Sequence, residues 1–129
     1  MFRLATIFLS LALSYGATAQ DGILENVGAA MKAGSSKELI KFCNSNLEIK
    51  LNGKASNYSI IQAEVVLRDF FLKNPSRGFE YVHRGSATAG SLKYSIGTYK
   101  FDEGSYRVLM LLKKVNDEMK IDSISLSRE

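Results

Sequence analysis

From Ser59 to Lys73 the chain reads SIIQAEVVLRDFFLK, and no other stretch limits the possible folds so sharply. Ser59 and Gln62 have the S-x-x-Q spacing of a capping box, in which the serine hydroxyl accepts from the N3 backbone N–H and the glutamine side chain returns to the cap N–H. At about 100° per residue, Ile60, Ala63, Val66, Leu67, Phe70 and Phe71 fall on one broad helical face. Ile61, Val65 and Leu72 make a narrower stripe on the other side. Glu64 with Arg68 and Asp69 with Lys73 are i,i+4 pairs in the favourable acid-first order. A helix with two apolar faces is expected to be clamped between two layers, a sheet on one side and helices on the other. Asn74-Pro75 ends it, because proline disfavours helical geometry in the residue before it and has no N–H to donate.

Before this helix, Ile23, Val27 and Met31 repeat at i, i+4, and Gly34 provides a left-handed stop. Ser35 and Glu38 predict a second cap, opening a helix whose buried side is Leu39, Phe42 and Cys43 and which ends at Asn44-Ser45-Asn46. Leu47, Ile49 and Leu51 alternate with Glu48 and Lys50 as a half-buried strand, and the polar run 52–57 reads as a connection to the long helix.

After Pro75 the apolar period switches to two. Phe79, Tyr81 and His83 share one strand parity, and Gly85 to Ser91 reads as a loop. Tyr94 and Ile96 have one parity and Tyr99 and Phe101 the other, which predicts a bulge near Gly97. Asp102-Glu103-Gly104 is a hairpin turn. Tyr106, Val108, Met110 and Leu112 face one way in the next strand and Leu109 and Leu111 the other, the pattern of a central strand covered on both sides. Asn116-Asp117 turns the chain into a last strand with Met119, Ile121, Ile124 and Leu126, whose parity slips near Asp122-Ser123.

At the N-terminus, Arg3, the apolar run from Leu4 to Leu13 and the small residues Ala17 and Ala19 have the layout of a secretory signal peptide. Residues 1–19 are expected to be removed, leaving 20–129 as a single exported domain, periplasmic or secreted. The run is shorter than the ~20 residues a transmembrane helix needs, so no integral membrane segment is expected after processing. Losing Arg3 lowers the net charge from +4 to +3, and the remaining basic residues are scattered among acids, a poor match to a nucleic-acid groove. Cys43 is the single cysteine, so packing and not an internal disulfide must hold the fold; a buried inert thiol is expected, with an intermolecular disulfide or a reactive thiol as the alternative.

The order helix, helix, strand, long helix and then antiparallel strands is α+β, with helices gathered on one face of a curved sheet. The pattern resembles the nuclear transport factor 2-like, or cystatin-like, fold. More narrowly it resembles a family of small secreted bacterial proteins of uncharacterised function, through Tyr58-Ser59, Gln62-Ala63, Asp69-Phe70-Phe71, Asn74-Pro75, Phe79, His83-Arg84-Gly85, Tyr94, Ile96-Gly97 and Tyr106-Arg107-Val108. The resemblance implies a mainly antiparallel sheet curled around the long helix into a cone with a cavity, and a dimer through the outer sheet face. It supports isomerases, dehydratases and non-catalytic modules alike, so the fold does not choose among them.

One histidine, one cysteine and no H-E-x-x-H, G-x-S-x-G or glycine-rich phosphate loop leave no metal centre, triad or cofactor site to propose. His83, whose unperturbed pKa is near neutral, and Tyr81, Tyr94 and Tyr106 are the ligand-binding candidates, with parity to share the helix-facing side. Asp69 is explained by its pairing with Lys73 and is not assigned a catalytic part. The expected function is therefore non-enzymatic binding of a small apolar ligand or a partner protein, in the cavity or on the sheet face. The alternative is an acid–base isomerase or dehydratase using His83 and the pocket tyrosines.

Overall fold

The computed structural model describes residues 19–86 and 92–129, with side chains from residue 22 onward. The expected leader lies outside the described residues apart from Ala19, as does the expected loop beyond Ser86 as far as Ser91. Helix α1 (Ala19–Ala33) turns into a short α2 (Ser36–Ile40), followed by a hairpin of β1 (Cys43–Leu51) and β2 (Lys54–Ser59). Helix α3 (Ile60–Lys73) leads to four strands, β3 (Gly78–Ser86), β4 (Leu92–Phe101), β5 (Gly104–Val115) and β6 (Glu118–Arg128). The sheet order is β2-β1-β6-β5-β4-β3. Among the described residues only the β1–β6 pair is parallel, so the sheet is mainly antiparallel, with the helices on its concave face.

The helix ends follow the sequence. Gly34 takes φ 64 and closes α1, and the Ser35 hydroxyl accepts from the Glu38 N–H. At α3 both halves of the capping box form, each at 3.3 Å, between Ser59 and Gln62. Ala63, Leu67, Phe70 and Phe71 are buried against the sheet. The opposite stripe is not covered: Ile61 is 77%, Val65 48% and Leu72 73% exposed, so α3 is packed on one side and is not clamped between layers. Helix α1 lies against β3, and α2 packs on the N-terminal half of α3, where the Ser36 hydroxyl donates to Glu64.

Two local expectations are overridden by pairing. The second helix stops at Ile40, and Cys43 lies in a strand because the Phe42 carbonyl accepts from the Ile121 N–H at 2.8 Å, which draws the backbone alongside β6. The thiol remains buried and donates to the Leu39 carbonyl. The polar run 52–57 is not a connection: Asn52 and Gly53, at φ 48 and 89, form a two-residue hairpin turn, and the following residues pair with β1 as β2. Leu47 against Tyr58 and Ile49 against Ser56 carry the register.

The parity slip near Asp122 occurs as expected, as a register shift where Leu111 pairs with Ser123 and Leu112 with Ile121. The slip expected near Gly97 does not. Strand β4 pairs continuously with β5 from Leu92 to Phe101, and the irregularity lies across the ladder in β3, between Tyr81 and His83.

Candidate functional site

The concave face is an aromatic layer. Phe79 sits opposite Tyr99 and Tyr81 opposite Gly97 in the β3–β4 register. A Cβ on Gly97 would lie 2.4 Å from the Phe79 Cζ and 3.0 Å from the Glu80 carbonyl oxygen, so this glycine is the slot in which the Phe79 ring rests. Gly97→Ala is accordingly expected to cost about 1–3 kcal/mol by overpacking; a urea midpoint equal to wild type would show that the ring swings aside freely. Phe70 packs on Tyr106 and Tyr99 with ring centroids 4.9 and 5.5 Å apart, and Tyr106 packs in turn on Phe101.

Tyr81 reaches across to α1. Its hydroxyl donates to the Leu24 carbonyl at 2.5 Å, its ring edge lies 3.0 Å from where a Cβ on Gly28 would sit, and the Arg84 guanidinium lies 4.4 Å over the ring. Burial pushes its phenol up to about 12, against a smaller lowering by Arg84. Tyr81 thus fastens the first helix to the edge of the sheet.

The expected grouping of Tyr81, His83, Tyr94 and Tyr106 on one face does not occur. Tyr81 and Tyr106 are on the concave side, packed among the core aromatics. The extra residue in β3, Val82, reverses the parity beyond it, so His83 pairs with Ile96 and Gly85 with Tyr94, both on the outer face of β4. There the imidazole Nε2 of His83 and the Tyr94 hydroxyl are hydrogen-bonded at 3.0 Å, and the Tyr94 ring lies across Gly85. The bulge at Val82 has no glycine or proline of its own and so leaves no local signal, whereas Gly97 lies in a strand that pairs without interruption.

The outer face around this pair is apolar. Ile96 sits opposite Leu109 and Tyr94 opposite Leu111, and Leu109 is 37% exposed. Its neighbours across β6 are the hydroxyl residues Ser125 and Ser123. Charged side chains at Arg107 and Lys113 bound the patch along β5. Asp69 lies elsewhere, in an exposed pair with Lys73 at 2.9 Å.

A third region has no signal in the sequence. Where the first turns of α1 meet the α2–β1 connection and the β5–β6 hairpin, a cleft of about 530 Å³ opens, within the range of small-molecule sites. Ile23, Phe42 and Met119 supply its apolar wall, and Lys41, Lys114 and Lys120 also line it, Lys120 standing opposite Lys113 in the β5–β6 ladder and so on the other face of the sheet from Met119 and Lys114. Two acids, Asp117 and Glu118, also line it; the Asp117 side chain is 99% exposed and only 4.0 Å from Lys114 at its nearest. Lys41 leans toward Glu38 at 2.9 Å, whereas Lys120 makes no ion pair among the described residues. These residues lie far apart in the sequence, brought together by the parallel β1–β6 pairing and by the seating of α1 against β3, so no motif announces the cleft.

Among the described residues no group of three or more His, Cys, Asp or Glu is arranged to hold a metal ion, and no helix is long and apolar enough to cross a membrane. The model of a family described as a domain of unknown function, DUF4783, matches residues 24–127. A crystal structure of a DUF4783 family protein from Bacteroides ovatus ATCC 8483 is similar at 31% identity, with TM-score 0.77 over 81% of this chain and 93% of that one. A second, from Bacteroides uniformis ATCC 8492, is 25% identical, with TM-score 0.77 over 81% of this chain and 95% of the other. An NTF2-like protein of unknown function from Shewanella baltica OS155 shares the fold at 15% identity and TM-score 0.66, over 86% of this chain and 91% of that one. No curated protein matches the chain.

Proposed function

This chain belongs to the DUF4783 family of unknown function and has the nuclear transport factor 2-like fold, and we propose that it is an exported, non-enzymatic binding module that takes a small, mostly apolar ligand in the cleft beside α1. The observation that carries this reading is the cleft itself: about 530 Å³ with Ile23, Phe42 and Met119 in its wall, while the concave interior is occupied by packed rings. The leader-like layout of residues 1–19 supports export, and its removal would leave Gln20 two residues before the cleft-lining Gly22.

The acid–base alternative has less support. His83 lies on the outer face with a tyrosine for its hydrogen-bond partner, and general acid–base work needs a proton carrier at a substrate-sized recess. Tyr81 and Tyr106 pack among the core aromatics, and His83 and Tyr94 are bonded to each other on the outer sheet face.

Gly22 provides the test. It lines the cleft, and a Cβ there meets nothing within 4 Å, so Gly22→Leu can fill the space without displacing a neighbour. In the helix it should also raise stability by a few tenths to ~1 kcal/mol, since glycine is the poorer helix former. Protein purified from its own host is expected to carry a retained small molecule in native mass spectrometry, and the Gly22→Leu protein to carry none. A wild-type mass equal to the bare polypeptide overturns the reading.

A second reading concerns the outer face, where exposed Leu109 with Leu111, Ile96 and Tyr94 forms an apolar surface suited to a second copy of the chain. Leu109→Lys is expected to shift sedimentation toward the monomer with the melting temperature unchanged. A wild-type monomer at every accessible concentration removes the dimer.

A further inference from the structure

At about 100° per residue, Ile61, Val65, Arg68 and Leu72 fall within about 60° of one another, on the side of α3 turned away from the sheet. Their spacing is that of the a and d positions of a coiled-coil seam, with one charged residue in it. The seam is uneven in height. Leu72 stands out at one end, and at the other a shallow hollow of about 270 Å³ opens between α2 and α3, lined by Ile40, Ile60, Ile61 and Glu64. Arg68 and Glu64 lie between the two, 3.4 Å apart, and the Ser36 hydroxyl holds the Glu64 carboxylate from the α2 side at 3.1 Å.

We infer that this stripe is an interface to a second copy of the chain, the two α3 helices running antiparallel about a two-fold axis that passes between Val65 and Arg68. That axis brings the partner's Leu72 level with Ile61 and its hollow, and Leu72 level with the partner's hollow. Each chain thus supplies one knob and one hole, the self-complementarity that an isologous contact requires. A parallel pair would stack leucine on leucine and leave both hollows empty. At the axis each Arg68 stem crosses the partner's Val65, and its guanidinium comes beside the partner's Glu64 as well as its own. Two arginines and two glutamates therefore meet with no net charge, and the stems cover the valines while the heads stay with carboxylates. The charge and the shape are both matched by the chain's own helix, which makes a second copy the occupant. With one helix of fourteen residues and the end of α2 on each side, the contact belongs to the small, reversible class of interfaces. It lies across the sheet from Leu109 and is independent of the outer-face dimer.

The test begins with sedimentation equilibrium up to millimolar protein. Leu109→Lys, which removes the outer-face contact, is expected still to dimerise. Adding Leu72→Ala takes both knobs from the pair and should weaken this association at least tenfold, while the melting temperature stays close to that of the parent because Leu72 is 73% exposed. Register is read by mild oxidation of an equimolar mixture of the Ile61→Cys and Leu72→Cys proteins, in which Cys43 is buried and does not interfere. Antiparallel helices set the two new thiols level with each other and keep each about 16 Å along the axis from its own copy, so the mixed disulfide should exceed its statistical proportion. A mixed disulfide at or below that proportion overturns the inference. So does a Leu109→Lys protein that is monomeric at every concentration, or one whose association Leu72→Ala leaves unchanged. None of these outcomes bears on the ligand cleft, and a wild-type dimer lost in Leu109→Lys would assign association to the outer face alone.

Discussion

Replacing Phe70 by alanine is expected to remove about 3–5 kcal/mol of stability, the range for truncating a buried phenylalanine. Phe70 is 4% exposed and packs on three aromatic rings: Phe71 at 5.6 Å, Tyr99 at 5.5 Å and Tyr106 at 4.9 Å between centroids. It joins α3 to both β4 and β5, so the void left by alanine cannot be closed by one neighbour moving. The contacts with Phe71 and Tyr106 are edge-to-face, a geometry worth something beyond the area buried. Its helical neighbours make the contrast. Asp69→Asn breaks only an exposed pair with Lys73, and Leu72→Ala trims a side chain 73% exposed; both should stay within ~1 kcal/mol. Equilibrium urea unfolding of the three variants checks the ordering, and a Phe70→Ala midpoint equal to wild type would mean that α3 presents another face to the sheet.

Alkaline pH should unfold the protein steeply, and Cys43 should be a main cause. The thiol is buried behind α2 and β1, and burial pushes it from an ordinary 9.0 up to about 12, with Lys120 only partly offsetting this. Between those values the unfolded chain releases a proton that the folded chain keeps. Stability is therefore fully present below pH 9 and is lost as pH rises toward 12, by up to ~1.4 kcal/mol per pH unit, or on the order of 4 kcal/mol over the window. Tyr81 and Tyr99, each pushed by burial from 10.0 up to about 12, act in the same direction from pH 10. Stability measured by denaturant titration from pH 7 to 11 should fall above 9. Cys43→Ala will lower the curve everywhere by its lost packing, but between pH 9 and 10 its slope should be flatter than that of wild type. Parallel curves would show that the thiol does not contribute.

Beyond these effects, α3 shows how far local pattern reaches. Its cap, its ends and its buried stripe of Ala63, Leu67, Phe70 and Phe71 follow from residue order, because capping hydrogen bonds and helical periodicity involve residues within a few positions of one another. What covers the other stripe does not follow: Ile61, Val65 and Leu72 have the same chemistry as the buried set and lie open. The Asn52-Gly53 hairpin was likewise present in the sequence as a turn dipeptide, yet Lys54 to Asn57 are too polar to read as a strand, and edge pairing with β1 alone makes β2.

Residue order by itself determined the α+β class, the capped long helix with its proline stop, the run of antiparallel strands, the slip at Asp122 and the inward set of Tyr106, Val108, Met110 and Leu112 on β5, because each is a matter of near neighbours and strand alternation. Tertiary structure alone decided where Cys43 belongs, on which strand the second bulge falls, and hence that His83 and Tyr94 face outward while Tyr81 turns in. It also decided that Ile23, Lys41, Phe42, Lys114, Met119 and Lys120 share a cleft. The physical reason is the same in each case: a strand's phase is set by the partner it bonds to, so one inserted residue at Val82 reverses every side chain after it, and the β1–β6 pairing brings distant residues together with no trace in their local sequence.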